Sequence, residues 1–516
     1  MNQSKQKNYD IPKIPEPYWR DSVDIPTFPT LDKNIHDAEV GIVGGGITGI
    51  TLAYLLVKQG IDVVLVDAGT LSNGVTGHTT AKITAQHGLI YDEFIQHFGL
   101  EKARMYYQAN IEAMQLIKDI VSDHNIDCDL SKEDAYIYTN SDKYVNKISK
   151  EANAYDRIGI PRGFTDKLPF EIPVKSTLIM KNQAQFHPLK YLKVLINEIK
   201  DKAQIYENTT AVDIEYGNKN NILTRNGNRI RCKYIVSASH FPFHEGQGFF
   251  SARMYPERSY IIGVKTDKKF PGGMYINAEE PTRSIRSTTH NGDQLWLVVG
   301  ESHKTGQGEP TYNHYEALEQ FAYQTFGLQE YLYRWSAQDL TTLDKVPYVG
   351  PLTKDQPDIL VATGYRKWGM TNGTAAAKML CDFITKDEHH YLDLFAPSRF
   401  HADPDVKQFM KINSDVAKHL VHGKLEYTNN TVDDVQKGEG KIIRINGKRI
   451  GVYRNLSGEV TMVDTTCTHL GCEVEWNQGD RTWDCPCHGS RYKPTGEIVE
   501  GPAKRPLGKV DHSETR

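Results

Sequence analysis

The sequence predicts an α/β protein extended by a small all-β domain at its C-terminus. Three observations predict it. A glycine-rich turn near residue 44 joins an apolar strand to a helix and a second strand. A second strand–glycine–helix pattern lies near residue 364, and two short loops rich in cysteine and histidine stand among hairpin signals after residue 440. At 516 residues the chain is long enough for about three domains. Its 39% apolar content and net charge of −4 suit an ordinary soluble protein and give no electrostatic case for a nucleic-acid partner.

In chain order, residues 1–37 carry Pro12, Pro15, Pro17, Pro26 and Pro29, which predicts an extended arm. Residues 39–43 (EVGIV) read as a strand. Gly44-Gly45-Gly46-Ile47-Thr48-Gly49 gives G-x-G-x-x-G, and ITLAYLLVKQG reads as a helix ended by Gly60. Asp62–Val66 is the next strand, and Asp67 stands eighteen residues beyond Gly49. This is a complete Rossmann-like βαβ unit. Its glycines let the backbone approach a pyrophosphate at a helix N-terminus, and Asp67 would accept from a ribose. FAD and NAD both remain open on that unit alone.

Farther on, Asp358–Thr363 reads as a strand before Gly364, followed by Tyr365-Arg366-Lys367-Trp368-Gly369-Met370-Thr371-Asn372-Gly373 and a helix from about Thr374. With the N-terminal unit, this resembles the FAD-dependent D-amino-acid oxidase superfamily, which includes glycine and sarcosine oxidases. The resemblance spans about residues 38–400. It implies FAD, bound by Gly44, Gly46, Ile47, Thr48, Gly49, Asp67, Gly364, Gly369, Met370 and Thr371. The second helix then aims its N-terminus at the flavin's pyrimidine edge, where its positive end stabilises the anionic reduced ring. His78, Thr79, Thr80 and Lys82 would line the isoalloxazine. Some relatives of the dimethylglycine dehydrogenase type carry a histidyl-linked flavin near His78, although the residues around it differ here.

The resemblance also sets the organisation. A FAD-dependent unit of 38–402 collects FAD-binding parts at about 38–90, 181–244 and 336–400, with a mixed-sheet α+β substrate domain at about 91–180 and 245–335. Residues 403–425 read as a linker helix. Arg366 or Lys367 would clamp a substrate carboxylate, with Trp368 and Tyr260 positioning the substrate. Arg366 and Lys367 could equally hold FAD phosphates or face solvent. Arg258-Ser259-Tyr260, after the crossover near Pro256, is expected to border the flavin.

The C-terminal loops read Cys467-Thr468-His469 and Cys485-Pro486-Cys487-His488, a C-x-H and a C-x-x-H separated by fifteen residues. A Rieske [2Fe–2S] centre needs one Cys–His pair from each of two loops, two thiolates on one iron and two imidazoles on the other. A tetrahedral zinc site uses the same ligand types. Against zinc, C-x-H is an uncommon first arm, and each loop holds an extra cysteine, Cys472 and Cys487. In full, CTHLGC and CPCHGS resemble the Rieske proteins of cytochrome bc-type complexes, over about residues 426–516. That implies Cys467, His469, Cys485 and His488 as ligands, a Cys472–Cys487 disulfide, and Ser490 and Tyr492 as hydroxyls that hydrogen-bond the cluster and its cysteine sulfur, raising the potential. Asn446-Gly447 predicts a hairpin turn within this domain.

The expected function is therefore an FAD-dependent oxidoreductase. It would oxidise an amine or amino acid as a dehydrogenase rather than an oxidase, and pass electrons singly through the cluster to a carrier protein or quinone. The alternative is an electron-transfer or reductase module whose cluster exchanges electrons with such a partner. No apolar run is long enough to span a membrane and the N-terminus has no export signal, so a cytoplasmic location is expected.

Overall fold

The computed structural model describes residues 12, 15–32, 35–246, 248–308, 311–387, 390–425, 428 and 430–511. The central strand β1 (Ile35–Val43) is flanked in parallel by Val63–Val66 and Arg229–Ser237, with Val40 opposite Val63 and Ile42 opposite Leu65. Val40, Ile42, Val63 and Leu65 are all fully buried, as an apolar run covered on both faces requires. The sheet continues outward to Gln204–Tyr206 on one side and to Gln356–Thr363 and Tyr348–Thr353 on the other. Helix α1 (Ile47–Lys58) leaves the carboxyl end of β1 directly. It stops at Gly60, whose φ of +77° lets Gly60 and Ile61 return their N–H groups to Val57 and Leu56.

A second sheet of nine strands stands against the first. Its long edge pair is β2 (Met254–Lys265) and β3 (Glu330–Thr342), antiparallel, with Glu257 opposite Asp339 and Arg258 opposite Gln338. Lys82–Ile83 and Ser176–Gln185 also belong to this sheet, so the two halves interleave more finely than the blocks drawn from sequence. The outer edge of β3 is not left open, since Glu16 bridges to Arg334 and Tyr365 to Thr341. Within the N-terminal arm, Tyr18–Asp21 forms one helical turn instead of extended chain. Tyr18 and Trp19 are buried there, and the Trp19 indole donates to the Thr79 carbonyl at 2.7 Å. Aromatic burial, invisible to a proline count, holds the arm down.

Helix α2 (Gly369–Lys386) follows the last strand of the first sheet and packs against α1. A Cβ on Gly373 would lie 2.7 Å from the Thr48 hydroxyl. Helix α3 (Ala402–Leu425) then leads to the C-terminal domain. There, Glu439–Ile445, Lys448–Arg454 and Val460–Asp464 form one antiparallel sheet. Glu475–Asn477, Thr482–Asp484, Arg491–Tyr492 and Ile498–Glu500 form another. Asn446 and Gly447 both have positive φ at the hairpin between the first two strands, the twist-matched turn their sequence predicts. Among the described residues, no helix is long and apolar enough to cross a membrane.

Candidate functional site

Two helix N-termini converge at one end of the first sheet. Neither α1 nor α2 has a side-chain cap from its N-cap residue, Gly46 or Trp368, and neither carries an acid in its first turn. Thr76 Oγ1 accepts the first N–H of α1, from Ile47, at 3.0 Å; the other first-turn N–H groups and the positive helix ends favour anionic groups. The glycine turn beneath is obligatory, because a Cβ on Gly49 would stand 1.9 Å from the Gly44 carbonyl oxygen. Asp67 accepts from Gly45 N–H at 2.7 Å and Gly69 N–H at 2.8 Å, and burial raises its pKa. Thr48 shares a 2.9 Å hydrogen bond with the Tyr365 hydroxyl, tying α1 to the segment before α2.

That segment bends sharply. Gly364, Arg366 and Lys367 all have positive φ. Arg366 donates to the His87 carbonyl, and Trp368 stacks on the His87 ring at 4.9 Å. Lys367 donates its backbone N–H to Asp339 at 3.1 Å and its ammonium to Ser302 at 2.6 Å. Met370 is buried, and the Thr371 hydroxyl donates to the Thr84 carbonyl at 3.0 Å. Across the space, the Trp335 indole donates to the His78 carbonyl, and Arg286 holds the Thr80 carbonyl. Lys82 donates to Ser284, and burial together with Arg286 pulls its pKa down to about 7.

Strand β3 divides the molecule. Alternate residues of a strand point to opposite faces. Trp335 and Asp339 meet His78 and Lys367 on the inner face. Arg334, Ser336 and Gln338 meet Gly479, Asp480 and Gly489 of the C-terminal domain on the outer one. The same alternation sorts β2. Glu257 turns inward, where it accepts from Thr341 at 3.3 Å beside Asp339. Burial lifts the Asp339 carboxyl to about 6, with Lys367 opposing. Arg258 and Tyr260, expected at the flavin, turn outward instead. Arg258 is fully buried against Asp480, Asp484 and Glu500, at 3.3, 3.9 and 3.1 Å. The Tyr260 hydroxyl lies 2.9 Å from His303. Pairing across the sheet sets which face each residue takes, so a one-residue error in reading the strand moves every side chain to the wrong side.

The cysteine–histidine loops meet beneath the second C-terminal sheet. Cys472 and Cys487 are joined in a disulfide, whereas Cys467 and Cys485 are buried free thiols. The sulfurs of Cys472, Cys485 and Cys487 lie within 4.8 Å of one another, but of these three only Cys485 keeps a thiol to offer a metal. Cys467 completes the pair: the hydrogen bond with Cys485 lowers its pKa, and the Tyr492 and Ser490 hydroxyls add to that. Tyr492 Oη sits 3.2 Å from Cys467 Sγ. The His469 and His488 rings stand 5.1 Å apart and nearly perpendicular, and burial lowers both pKa values to about 4. They are neutral imidazoles, the form a metal needs. Two free thiols, two neutral imidazoles and a separate disulfide fit a two-plus-two iron–sulfur centre, just as the acid-free helix N-termini and the glycine cradle fit a dinucleotide.

Comparison with known proteins agrees. Residues 39–383 match the family DAO, FAD dependent oxidoreductase, and residues 426–511 match the Rieske [2Fe-2S] domain. The chain is 50% identical over 500 residues, 97% of its length and 98% of the relative's, to YhfW of Bacillus subtilis (strain 168), named as a Rieske 2Fe-2S iron-sulfur protein. It is 22% identical over 393 residues, 72% of this chain and 88% of the other, to gamma-glutamylputrescine oxidoreductase of Escherichia coli (strain K12). In fold it is similar to glycine oxidase from Geobacillus kaustophilus, with a TM-score of 0.61 at 18% identity over 71% of this chain and 99% of that one. The chain thus belongs to the DAO family of FAD-dependent oxidoreductases and carries, beyond its flavin-binding half, a C-terminal Rieske domain for a [2Fe–2S] cluster.

Proposed function

We propose that this oxidoreductase dehydrogenates an amine or amino acid on the inner side of β3 and delivers the electrons, one at a time, through the Rieske domain to an external carrier protein or quinone. The observation that carries the reading is β3 itself, a single strand with the flavin side on one face and the cluster loop on the other. FAD, when bound, would take up the two electrons of the substrate's α-C–H bond as a hydride while the C–N bond becomes C=N, and the cluster, when bound, would carry one. The cluster ligands in this reading are Cys467, Cys485, His469 and His488, with Tyr492 and Ser490 easing reduction by hydrogen bonding to sulfur.

The chain's residues supply position and charge. An amine must lose its ammonium proton before oxidation, and Asp339, raised to about 6, is suited to hold that proton at neutral pH. Glu257 beside it adds a second carboxylate for a cationic substrate, while Lys367 and Arg366 can bind a carboxylate where one exists. The N-terminus of α2 offers free N–H groups to negative charge. The similarity to an oxidoreductase named for gamma-glutamylputrescine supports an amine substrate.

The test is anaerobic mixing of the purified holoprotein with a panel of amines and amino acids, following flavin bleaching and the reduced-cluster EPR signal. One amine that bleaches the flavin and then raises a Rieske-type signal is the expected result. If no amine acts, but a quinol or a reduced carrier fills the cluster and then the flavin, current runs inward and the chain is a reductase module.

A further inference from the structure

The Rieske domain lies on the flavin-binding half along one continuous seam. At its near end the Thr311 hydroxyl donates to Asn477 and accepts from the Gly479 N–H, each at 2.7 Å, and Tyr315 donates to Asp480 at 3.0 Å. At its far end Lys504 donates to the Val212 carbonyl at 2.6 Å and Arg225 to the Lys504 carbonyl at 3.0 Å. Between them lies a buried charge cluster. Arg258 from β2 and Arg491 from the Rieske domain share Asp480, Asp484 and Glu500, and Arg491 reaches them at 2.9, 3.1 and 2.8 Å. Removing Arg258 while the seam stays closed would leave three carboxylates to Arg491 alone, a strongly destabilising arrangement.

The contact is closest at the cluster-binding loop. A Cβ on Gly306 would stand 2.7 Å from the Pro486 nitrogen, and a Cβ on Gly489 would stand 2.7 Å from Pro256 and 2.9 Å from Gln338. At Gly306 backbone meets backbone, and at Gly489 the side chains of Pro256 and Gln338 press on the loop backbone. The Gln338 amide donates to the Gly489 carbonyl at 2.9 Å, one residue beyond His488. Its oxygen is fixed by Thr305 at 2.6 Å and Arg258 at 3.3 Å. Gln338 is covalently joined to Asp339, which faces the flavin side. His240 lies beside the Gln338 backbone within electrostatic reach of Glu500. Its chain neighbours Ala238 and Ser239 pack on Gly44 of the dinucleotide turn.

We propose that the Rieske domain is a fixed electron port rather than a swinging head, and that electrons cross between the two sites through the sheet at Gln338. The proposal rests on the reading above that the two sites exchange electrons. A two-electron oxidation then clears in two successive single crossings, each followed by transfer to a one-electron acceptor outside.

Docking and crossing are read separately in the full holoprotein. Hydrogen exchange reads docking without any turnover. The amides of Cys485 and of residues 487–490 are expected to exchange slowly in the wild type and at least about 100-fold faster in Arg258→Met. Equal, fast exchange in both would overturn the fixed port. Crossing is read by a light flash that photoreduces the bound flavin with EDTA as donor, which bypasses the substrate. Cluster reduction should then follow at a rate unaffected by added sucrose, and Gln338→Leu should slow it about tenfold, the scale of one lost hydrogen bond, with the cluster's EPR spectrum unchanged. A rate that falls in proportion to viscosity, or a Gln338→Leu rate equal to wild type, overturns the proposal. Slow exchange at 485–490 with no cluster reduction after the flash would sink the electron-exchange reading, and the Gln338 crossing with it, and leave only the docking.

Discussion

Asp339 shows how a single carboxyl acquires a role from its surroundings. It is buried, its pKa is raised to about 6 by desolvation, and its nearest cation is Lys367. In the deprotonated form it can take a proton from a substrate ammonium, so kcat/KM should fall as pH drops through about 6. Asp339→Asn should lack that acid limb and lose about 100-fold or more in kcat/KM at neutral pH. A pH–rate profile of the variant with the limb intact would reject the assignment. Neither Asp339 nor Glu257 was legible as a site residue, because nothing local marks an acid in a strand as inward-facing. Their meeting depends on β2 and β3 pairing in one register. The dinucleotide glycines, Asp67 and the cluster cysteines and histidines were legible for the opposite reason. Close backbone approach and metal ligation impose residue types at short, fixed spacings.

At the scale of elements, each cofactor end is built by a different device. The flavin end uses two helices whose N-cap residues supply no side-chain cap and whose first turns carry no acid. The cluster end uses two loops too short to hold themselves, closed by a disulfide between residues fifteen apart. Cross-linking such a loop contributes about 3 kcal/mol by chain entropy. Cys472→Ser should therefore lower the unfolding free energy read at the cluster absorbance by that order, and the flavin transition, coupled to it through the seam, should move with it. A flavin transition left in place would show instead that the halves unfold separately. The strand–glycine–helix patterns announced these elements, and Asn446-Gly447 announced its hairpin. What the sequence did not announce was the turn at Tyr18–Asp21, whose hold comes from Trp19 reaching Thr79, a contact sixty residues away.

At the scale of the whole molecule, the seam is the feature that joins two redox sites into one protein. Its charges also set an acid limit. Burial opposes ionisation of Glu500, but Arg491 and Arg258 prevail and hold its pKa at about 2, against 4.5 for an ordinary glutamate. Asp480 is lowered by the same arginines. A lowered folded-state pKa gives stabilisation that is complete above 4.5, declines as pH falls and is gone below about 2. For Glu500 this amounts to about 3 kcal/mol. Amides at the seam should lose protection across that window, and Glu500→Gln should flatten the part of the dependence owed to this group. Unchanged protection from pH 5 to pH 2 would refute the charge-held seam. Arg258 is 222 residues from Asp480 and 242 from Glu500, which is why its place was misjudged from sequence. The distance has a consequence for biosynthesis. The ribosome finishes β2 and β3 long before it reaches the acids that pair with Arg258, so the flavin half must wait with the outer face of that strand pair uncovered. A gene cut after residue 425 would make that wait permanent, and the two halves should be harder to express apart than together.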